Sequence, residues 1–436
     1  MVLASLEPIE CDPYVSFEKW TQQRKIVSIG SNAGAQPLPF QEWHHFKEAF
    51  APETVGRAAR ESRRPVTSCL DPFGGSGTTA LASQFLGISP TTIEVNPYLA
   101  DLIEAKLDEY EPDDLAQDLR QIVWATSRER GDLRRFAGLP LTFVESAATS
   151  RWIFDRAVAR RIACYLNAMD ALSCPRHRRL FRVLLGGMLI SVSNVIINGK
   201  GRRYRRGWAE RRTAPEMVDM LFKQRCQAAI TEIHEHRYRR RRGHTVLRGD
   251  CLCKLAEAAP ADLAVFSPPY PNSFDYTDVY NVELWMLGYL DGSDSNHLLR
   301  NSTLCSHVQL KRDFLAPPPG SLRLSRALGR LRRERDNLWS PWIPDMIGHY
   351  FHDMCRVLVL LRERLTSEAE VWAIVGDSRY AGIQIPVARI LADYAPIFGF
   401  RVLNIEPFRS MRASAQQGGQ HQLAESLLVL QKNDRP

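Results

Sequence analysis

The stretch Asp71-Pro72-Phe73-Gly74-Gly75-Ser76-Gly77-Thr78-Thr79 decides the fold of this chain. A short apolar run at residues 66–70 precedes it, and a helical pattern at residues 79–86 follows it. Residues 91–95 then predict a second strand, and residues 97–110 predict a second helix. Strand, glycine-rich turn, helix and strand form one βαβ unit, which implies a parallel sheet.

The glycine-rich turn has the features of a site for a small ligand. Glycine allows positive φ and lets a ligand approach the free backbone N–H groups where a strand turns into a helix. A phosphate-binding P-loop is disfavoured, because Gly77 is followed by two threonines and no lysine is present. Glu94 lies 17 positions after Gly77, at the end of the second strand. A carboxylate there can accept hydrogen bonds from the ribose hydroxyls of an adenosine, although a solvated carboxylate is the alternative.

A second motif, Ser267-Pro268-Pro269-Tyr270, follows an apolar strand predicted at residues 262–266. Open α/β sheets bind ligands at the carboxyl ends of their strands. Two prolines fix the backbone, so the Ser267 hydroxyl and the Pro268 carbonyl can accept hydrogen bonds from an amino group on a flat ring. Tyr270 can stack on that ring. The alternative interpretation is a plain turn or a proline-rich ligand sequence.

Together the two motifs resemble the cofactor and catalytic motifs of DNA methyltransferases that methylate exocyclic amino groups, of the restriction–modification or orphan kind. Weaker matches agree with this. Residues 46–53 resemble the family segment over the methionine part of the cofactor, residues 94–97 resemble its ribose-binding position, and Gly249-Asp250 resembles the position near the adenine. The resemblance covers residues 40–110 and 245–430.

The resemblance implies a fold, a cofactor and a reaction. The implied fold is a Rossmann-like α/β methyltransferase fold with a mixed, largely parallel sheet and helices on both faces. The implied cofactor is S-adenosyl-L-methionine, and the implied substrate is a base flipped out of duplex DNA. In this family a serine at position 267 is usually linked with N4 of cytosine, and Asp or Asn there with N6 of adenine. A C5-cytosine enzyme is excluded, because it needs a cysteine nucleophile that the motif lacks.

Positive charge is concentrated in one segment of the chain. Residues 151–250 contain 23 Lys/Arg and 8 Asp/Glu, although the whole chain has a net charge of only +8. This asymmetry predicts a phosphate-bearing partner, and a solvated or autoinhibitory surface is the alternative. Residues 200–208 interleave basic side chains with Tyr204 and Trp208, and residues 237–242 carry five arginines. Both stretches are predicted to contact nucleic acid.

Three sets of site residues follow from these patterns. The predicted catalytic residues are Ser267, Pro268, Pro269 and Tyr270. The predicted cofactor-binding residues are Phe50, Asp71, Pro72, Phe73, Gly74, Gly75, Ser76, Gly77, Thr78, Glu94, Asn96 and Asp250. The predicted DNA-binding residues are Lys200, Arg202, Arg203, Tyr204, Arg205, Arg206, Arg239 and Arg240. No metal site is predicted, because the nine cysteines lack zinc-site spacing.

The chain is predicted to contain three regions. Residues 1–111 hold an N-terminal segment and the cofactor-binding half of the α/β domain, and residues 112–244 form a helical, basic insertion that is the candidate for target recognition. Residues 245–436 hold the catalytic half, with a basic lid or loop at residues 291–340. Within the first region, residues 40–50 are predicted to form an amphipathic helix.

Composition and chain length set the protein class. The 436 residues are 44% hydrophobic and 24% charged, as in a globular protein of two or three compact units. The longest apolar run, residues 183–197, is too short and too polar to span a bilayer, and the N-terminus does not resemble a signal peptide. We therefore expect a soluble, cytoplasmic protein without a membrane partner.

Double-stranded DNA is the predicted partner, and a separate restriction endonuclease is a second candidate partner. Three alternatives stay open at this point. The same chemistry can act on N6 of adenine, or on the amino group of an RNA base. The chain can also be a nucleic-acid-binding protein that has the fold without catalysis.

Overall fold

The structure, a computed structural model, describes residues 12–24, 38–46, 49–198, 201–237, 239, 242–412 and 422–433. Its strands are β1 (Ser68–Asp71), β2 (Ser89–Glu94), β3 (Val195–Asn198), β4 (Gly201–Tyr204), β5 (Thr245–Arg248), β6 (Ala261–Phe266), β7 (Leu365–Gly376), β8 (Ser378–Tyr380), β9 (Ile383–Ile385), β10 (Phe400–Arg412) and β11 (Gln422–Lys432).

The α-helices alternate with these strands. They are α1 (Pro13–Thr21), α2 (Glu53–Glu61), α3 (Thr78–Phe85), α4 (Pro97–Leu107), α5 (Pro112–Arg128), α6 (Arg156–Asp170), α7 (Pro175–Gly186), α8 (Glu216–Glu235), α9 (Cys251–Lys254), α10 (Tyr276–Val279), α11 (Asn281–Met286), α12 (Ser293–Asn301), α13 (Leu322–Arg333), α14 (Ile343–Arg364) and α15 (Val387–Tyr394). Short 3₁₀ helices lie at Leu133–Phe136, Leu189–Val192, Leu255–Glu257 and Arg335–Asn337. Within the described part of the chain, no helix combines the length and apolarity needed to cross a bilayer.

Seven strands form one mixed sheet in the order β10-β11-β7-β6-β1-β2-β5. Neighbours from β7 through β6, β1 and β2 to β5 are parallel, whereas β11 runs antiparallel to both β7 and β10. The predicted α/β fold with a mixed, largely parallel sheet is therefore confirmed. The crossover helices return each strand to the same direction, so the carboxyl ends of β1, β2 and β6 meet at one edge.

Both faces of the sheet are covered by helices. On β6, Leu263 and Val265 belong to one hydrophobic core, and Ala264 and Phe266 belong to the other. The first core contains apolar residues of α3 to α8, and the second contains those of α13, α14 and α15. Such two-sided burial explains why the central strands are apolar runs rather than alternating patterns.

The region at residues 112–244 packs directly on the cofactor-binding half. Its helices α5 to α8 share the first core with α3 and α4. On α8, Oε2 of Glu232 accepts hydrogen bonds from the Phe40 amide and the Trp43 indole, both at 2.8 Å. The predicted basic stretch at residues 200–208 begins in a short antiparallel pair of strands, β3–β4, and residues 199–200 lie outside the described residues.

The helix predicted over residues 40–50 is wrong. Residues 38–44 form turns instead, and Phe40 has a left-handed φ of 70°, which a right-handed helix does not accommodate. The apolar spacing signals burial rather than helix, because Phe40 and Trp43 are both buried in the first core. Residues 47 and 48 of this predicted helix lie outside the described residues.

Candidate active site

The two sequence motifs meet at the carboxyl edge of the sheet. Strands β1 and β6 are parallel neighbours, with Cys69 opposite Leu263 and Leu70 opposite Ala264. The glycine-rich turn follows β1, and the Ser-Pro-Pro-Tyr turn follows β6. Both turns line one pocket of about 380 Å³.

Most predicted catalytic and cofactor-binding residues line this pocket. They are Phe50, Pro72, Phe73, Gly74, Gly75, Ser76, Thr78, Glu94, Asn96, Asp250, Ser267, Pro268, Pro269 and Tyr270. Two predicted residues are not part of the lining. Asp71 is buried at the end of β1, where its Oδ1 accepts a hydrogen bond of 2.8 Å from the Phe73 amide. Gly77 precedes α3 with a φ of 82°.

The glycine-rich turn leaves open space beside the backbone. Gly75 has a φ of 52°, and a Cβ built on it would lie 3.1 Å from the Phe46 ring on the pocket wall. A side chain at this position would be strained and would narrow the pocket. From the protein interior, the buried Lys106 Nζ donates a hydrogen bond of 2.8 Å to the Ser76 carbonyl. The turn is thus stabilised on its interior side by Lys106, and its other side borders the pocket.

Glu94 is fixed in the pocket by two backbone donors. Its Oε2 accepts a hydrogen bond of 2.6 Å from the Gly75 amide, and its Oε1 accepts one of 2.8 Å from the Asn96 amide. Burial raises the pKa of Glu94 to about 7, and these backbone bonds act in the opposite direction. Burial likewise raises the pKa of Asp71 to about 7. Two carboxyl groups at this edge therefore titrate near neutral pH.

Asn96 carries an unmatched donor at the pocket. Its Oδ1 caps α4 by accepting hydrogen bonds from the Tyr98 and Leu99 amides, at 3.0 and 3.3 Å. Its Nδ2 is buried and has no hydrogen-bond partner among the described residues. A buried donor without a partner is destabilising by roughly 1–3 kcal/mol. Asn96 lines the pocket, but this Nδ2 atom is itself buried.

The Ser-Pro-Pro-Tyr turn is held by hydrogen bonds to the neighbouring strands. Ser267 Oγ donates to the Ile374 carbonyl on β7 at 3.0 Å. The hydroxyl oxygen therefore keeps its lone pairs for accepting hydrogen bonds. The Tyr270 hydroxyl lies 3.4 Å from Ser267 Oγ and donates a hydrogen bond of 2.7 Å to Glu425 Oε1.

Comparison with known proteins gives relatives along most of the chain. The type II methyltransferase M.AvaI of Nostoc sp. is 26% identical over 433 residues, which cover 91% of this chain and 86% of that protein. The type II methyltransferase M.BsoBI of Geobacillus stearothermophilus is 23% identical over 476 residues, which cover 96% and 90%. Over most of its length, this chain is similar to type II methyltransferases. The family resemblance predicted from the two motifs is confirmed.

No protein-family model matches the chain. Among solved structures, the rRNA methyltransferase aviRa of Streptomyces viridochromogenes is similar with a TM-score of 0.31 and 12% identity, covering 88% of this chain and 85% of that one.

Glu425 is one of the pocket residues that the sequence analysis did not predict. It lies on β11 opposite Gly376 of β7, is buried, and lines the pocket beside Tyr270. Burial, together with the Glu425 charge, raises the pKa of Tyr270 well above its ordinary value, so the phenol stays protonated as a donor. The available signal was one carboxylate inside the apolar strand at residues 423–430.

The predicted DNA-binding residues of the β3–β4 hairpin and the residues just after it differ in their surroundings. Arg203 and Arg206 are exposed. Arg205 instead donates to the Ser193 and Ile190 carbonyls at 3.1 and 2.9 Å, and so it holds the hairpin. The other predicted hairpin residues are packed on rings: the Arg202 guanidinium lies 5.6 Å from the Phe143 ring, and the Tyr204 ring lies 4.9 Å from the Trp208 ring.

The second predicted basic stretch, residues 237–242, does not form a continuous exposed surface in the described part of the chain. Arg239 is buried, with its guanidinium 4.7 Å from the Phe40 ring and a hydrogen bond to the Lys106 carbonyl. The structure therefore does not bring Arg239 together with the exposed hairpin arginines. Lys200 and Arg240 lie outside the described residues.

Proposed function

We propose that this protein is a DNA methyltransferase that transfers the methyl group of S-adenosyl-L-methionine to N4 of a flipped cytosine. The observation that carries the proposal is the single pocket shared by the glycine-rich turn and the Ser-Pro-Pro-Tyr turn. The homologous type II methyltransferases support methyl transfer to DNA. The serine at position 267 supports cytosine N4, through the family correlation given above.

The pocket residues fit the cofactor. The Glu94 carboxylate would accept hydrogen bonds from ribose hydroxyls, and Asn96 lines the same space. Gly75 lacks the side chain that would narrow this space. Asp250 caps α9 by accepting a hydrogen bond of 2.9 Å from Leu252, and it lines the same pocket. When bound, S-adenosyl-L-methionine supplies an electrophilic methyl group.

The catalytic turn contributes mainly by positioning. Ser267 Oγ, whose proton is directed to Ile374, would accept one hydrogen bond from the cytosine amino group, and the Pro268 carbonyl would accept another. These two acceptors would fix the amino nitrogen without a covalent intermediate. Tyr270, anchored through its hydroxyl by Glu425, would present its ring to the base. Holding two reacting groups in line removes a large part of the entropic barrier of a bimolecular step.

Nucleoside mass spectrometry tests the proposal directly. Duplex DNA containing many sequences is incubated with the purified protein and S-adenosyl-L-methionine, then digested to nucleosides. We expect N4-methylcytosine. N6-methyladenine would contradict the assigned base, and methylation confined to structured RNA would contradict the assigned substrate. Binding of duplex DNA without any methyl transfer would support the non-catalytic alternative.

The exposed side of the β3–β4 hairpin is the proposed contact with the DNA backbone. Strand β4 packs on α10, which follows the catalytic turn and contributes Tyr276 and Thr277 to the pocket wall. The exposed Arg203 and Arg206 therefore lie near the site where a base would enter. A separate restriction endonuclease and a cytoplasmic location stay predictions.

Replacing both exposed hairpin arginines, Arg203→Ala with Arg206→Ala, is expected to weaken duplex binding. Each lost phosphate contact lowers the slope of log affinity against log salt by about 0.9, so the slope should fall by up to about 2. Equilibrium binding over a salt series measures this. The control is Arg63→Ala with Arg64→Ala, which removes the same charge just before β1, at the opposite edge of the sheet. A parental slope in the hairpin variant would remove the hairpin from the interface.

A further inference from the structure

Helix α13 carries a second strongly basic surface, which the sequence analysis assigned only to a lid or loop. Residues 322–335 contain six arginines and one glutamate. The helix buries Leu324, Ala327, Leu328 and Leu331 on one side. This apolar stripe faces the second core, so the arginines lie on the side directed to solvent.

Carboxylates neutralise only part of this surface. Arg323 forms an ion pair with Asp393, and Arg335 forms one with Asp345 at 3.0 Å. The arginines at positions 326, 330 and 333 are exposed, and none of them has an ion-pair partner among the described residues. Their spacing of i, i+4 and i+7 places them in one row along the helix, over roughly 10 Å at 1.5 Å per residue.

Helix α13 is linked through a short hairpin to the turn that lines the pocket. Helix α13 packs on β9, which pairs with β8 in a hairpin directly after β7. In β8, the Tyr380 hydroxyl donates a hydrogen bond of 3.0 Å to the carbonyl of Pro271, the residue after catalytic Tyr270. The β8–β9 hairpin therefore connects α13 to the catalytic turn.

The row lies on the opposite face of the sheet from the β3–β4 hairpin. Leu324 and Leu328 of α13 belong to the second core together with Tyr380. Ile197 and Tyr204 of the β3–β4 hairpin pack against the first core. The pocket opens at the carboxyl edge between these two faces, so a basic element flanks it on each side.

We propose that α13 contacts the DNA backbone on the side of the pocket away from the β3–β4 hairpin. The duplex is then held by arginines from both faces of the sheet while a base occupies the pocket between them. A row of like charges without interleaved acids matches a duplex, which carries one phosphate charge per roughly 1.7 Å of axis. A protein partner would present mixed charges. This inference rests on the proposed function, because it assumes a DNA substrate.

The test compares two double variants. The first combines Arg326→Ala and Arg330→Ala on α13, and the second is the Arg63→Ala, Arg64→Ala control. Alanine has the highest helix propensity, so α13 is retained, and circular dichroism verifies this. We expect at least about tenfold weaker duplex binding and a salt slope reduced by up to about 2. Affinity for S-adenosyl-L-methionine should equal that of the parent, because neither arginine lines the pocket.

The possible failures are distinguishable. Parental affinity and slope in the α13 variant, with the parent methylating DNA, would overturn the α13 contact and leave the proposed function standing. Equal losses in the α13 and control variants would also overturn it, because total charge rather than position would explain them. A parent that methylates only RNA would overturn the proposed function and the assumption of a DNA substrate together.

Discussion

Replacing Ser267 by alanine is expected to lower methyl transfer to duplex DNA by about 100-fold or more. The change removes one of the two acceptors proposed to hold the amino nitrogen, and the loss of one such hydrogen bond at a reacting centre typically costs about 10²–10³ in rate. Its effect on stability is small, because only the hydrogen bond to Ile374 is lost, about 1 kcal/mol. Single-turnover methylation with saturating cofactor measures the chemical step.

Ser302→Ala is the matched control for this variant. Ser302 also lines the pocket, but its hydroxyl donates to the Leu298 carbonyl within its own helical turn. The control should therefore keep parental rates. Cofactor affinity should be parental in both variants, because the proposal assigns Ser267 to the base and not to the cofactor. A Ser267→Ala protein that methylates within a few-fold of the parent would contradict the role assigned to the turn.

Replacing Glu94 by glutamine is expected to weaken S-adenosyl-L-methionine binding by about 100-fold. Glutamine keeps one acceptor oxygen and places an amide donor against the backbone N–H of either Gly75 or Asn96. Loss of a charge-assisted hydrogen bond and the resulting unmatched donor amount to roughly 3 kcal/mol, which corresponds to this factor. Calorimetric titration measures the affinity. The exposed Glu111→Gln is the control and should bind as the parent does.

Cofactor binding by the parent should also depend on pH through Glu94. Its pKa of about 7 in the free protein means that the accepting carboxylate is depleted as the pH falls below 7. Affinity should therefore fall about tenfold between pH 8 and pH 6. Glu94→Gln should remove this dependence. Asp71→Asn should keep it, although the pKa of Asp71 is also about 7, because Asp71 is not part of the pocket lining. A flat profile in the parent would contradict the assignment.

The parts of the fold and of the site that could be predicted are those with a pattern in the nearby sequence. The glycine-rich turn and the Ser-Pro-Pro-Tyr turn each follow an apolar run, and parallel sheets bring the ends of such runs to one edge. The apolar runs at residues 400–405 and 426–430 predict only short strands, whereas β10 and β11 extend over Phe400–Arg412 and Gln422–Lys432, because their outer parts lack a continuous apolar pattern. Local sequence patterns therefore predict the positions of strands, helices and turns more accurately than the residues at which strands begin and end.

The remaining features depend on contacts between distant parts of the chain. Glu425 reaches the pocket only because β11 pairs with β7, and no pattern near residue 425 specifies that pairing. Arg239 belongs to a basic run, yet its guanidinium is buried against Phe40. The density of charge along a sequence does not predict which arginine packs on an aromatic ring. The turn at Phe40 was missed for the same reason, since its apolar residues are placed by α8 rather than by a helix of their own.

The position of β11 has a consequence for when the pocket is completed during folding. This strand comes latest in the described sequence, yet it inserts between β7 and β10 and supplies the carboxylate that anchors Tyr270. A nascent chain that has emerged only as far as β10 contains both motifs but not this anchor. The pocket is therefore complete only after β11 has paired with β7 and β10.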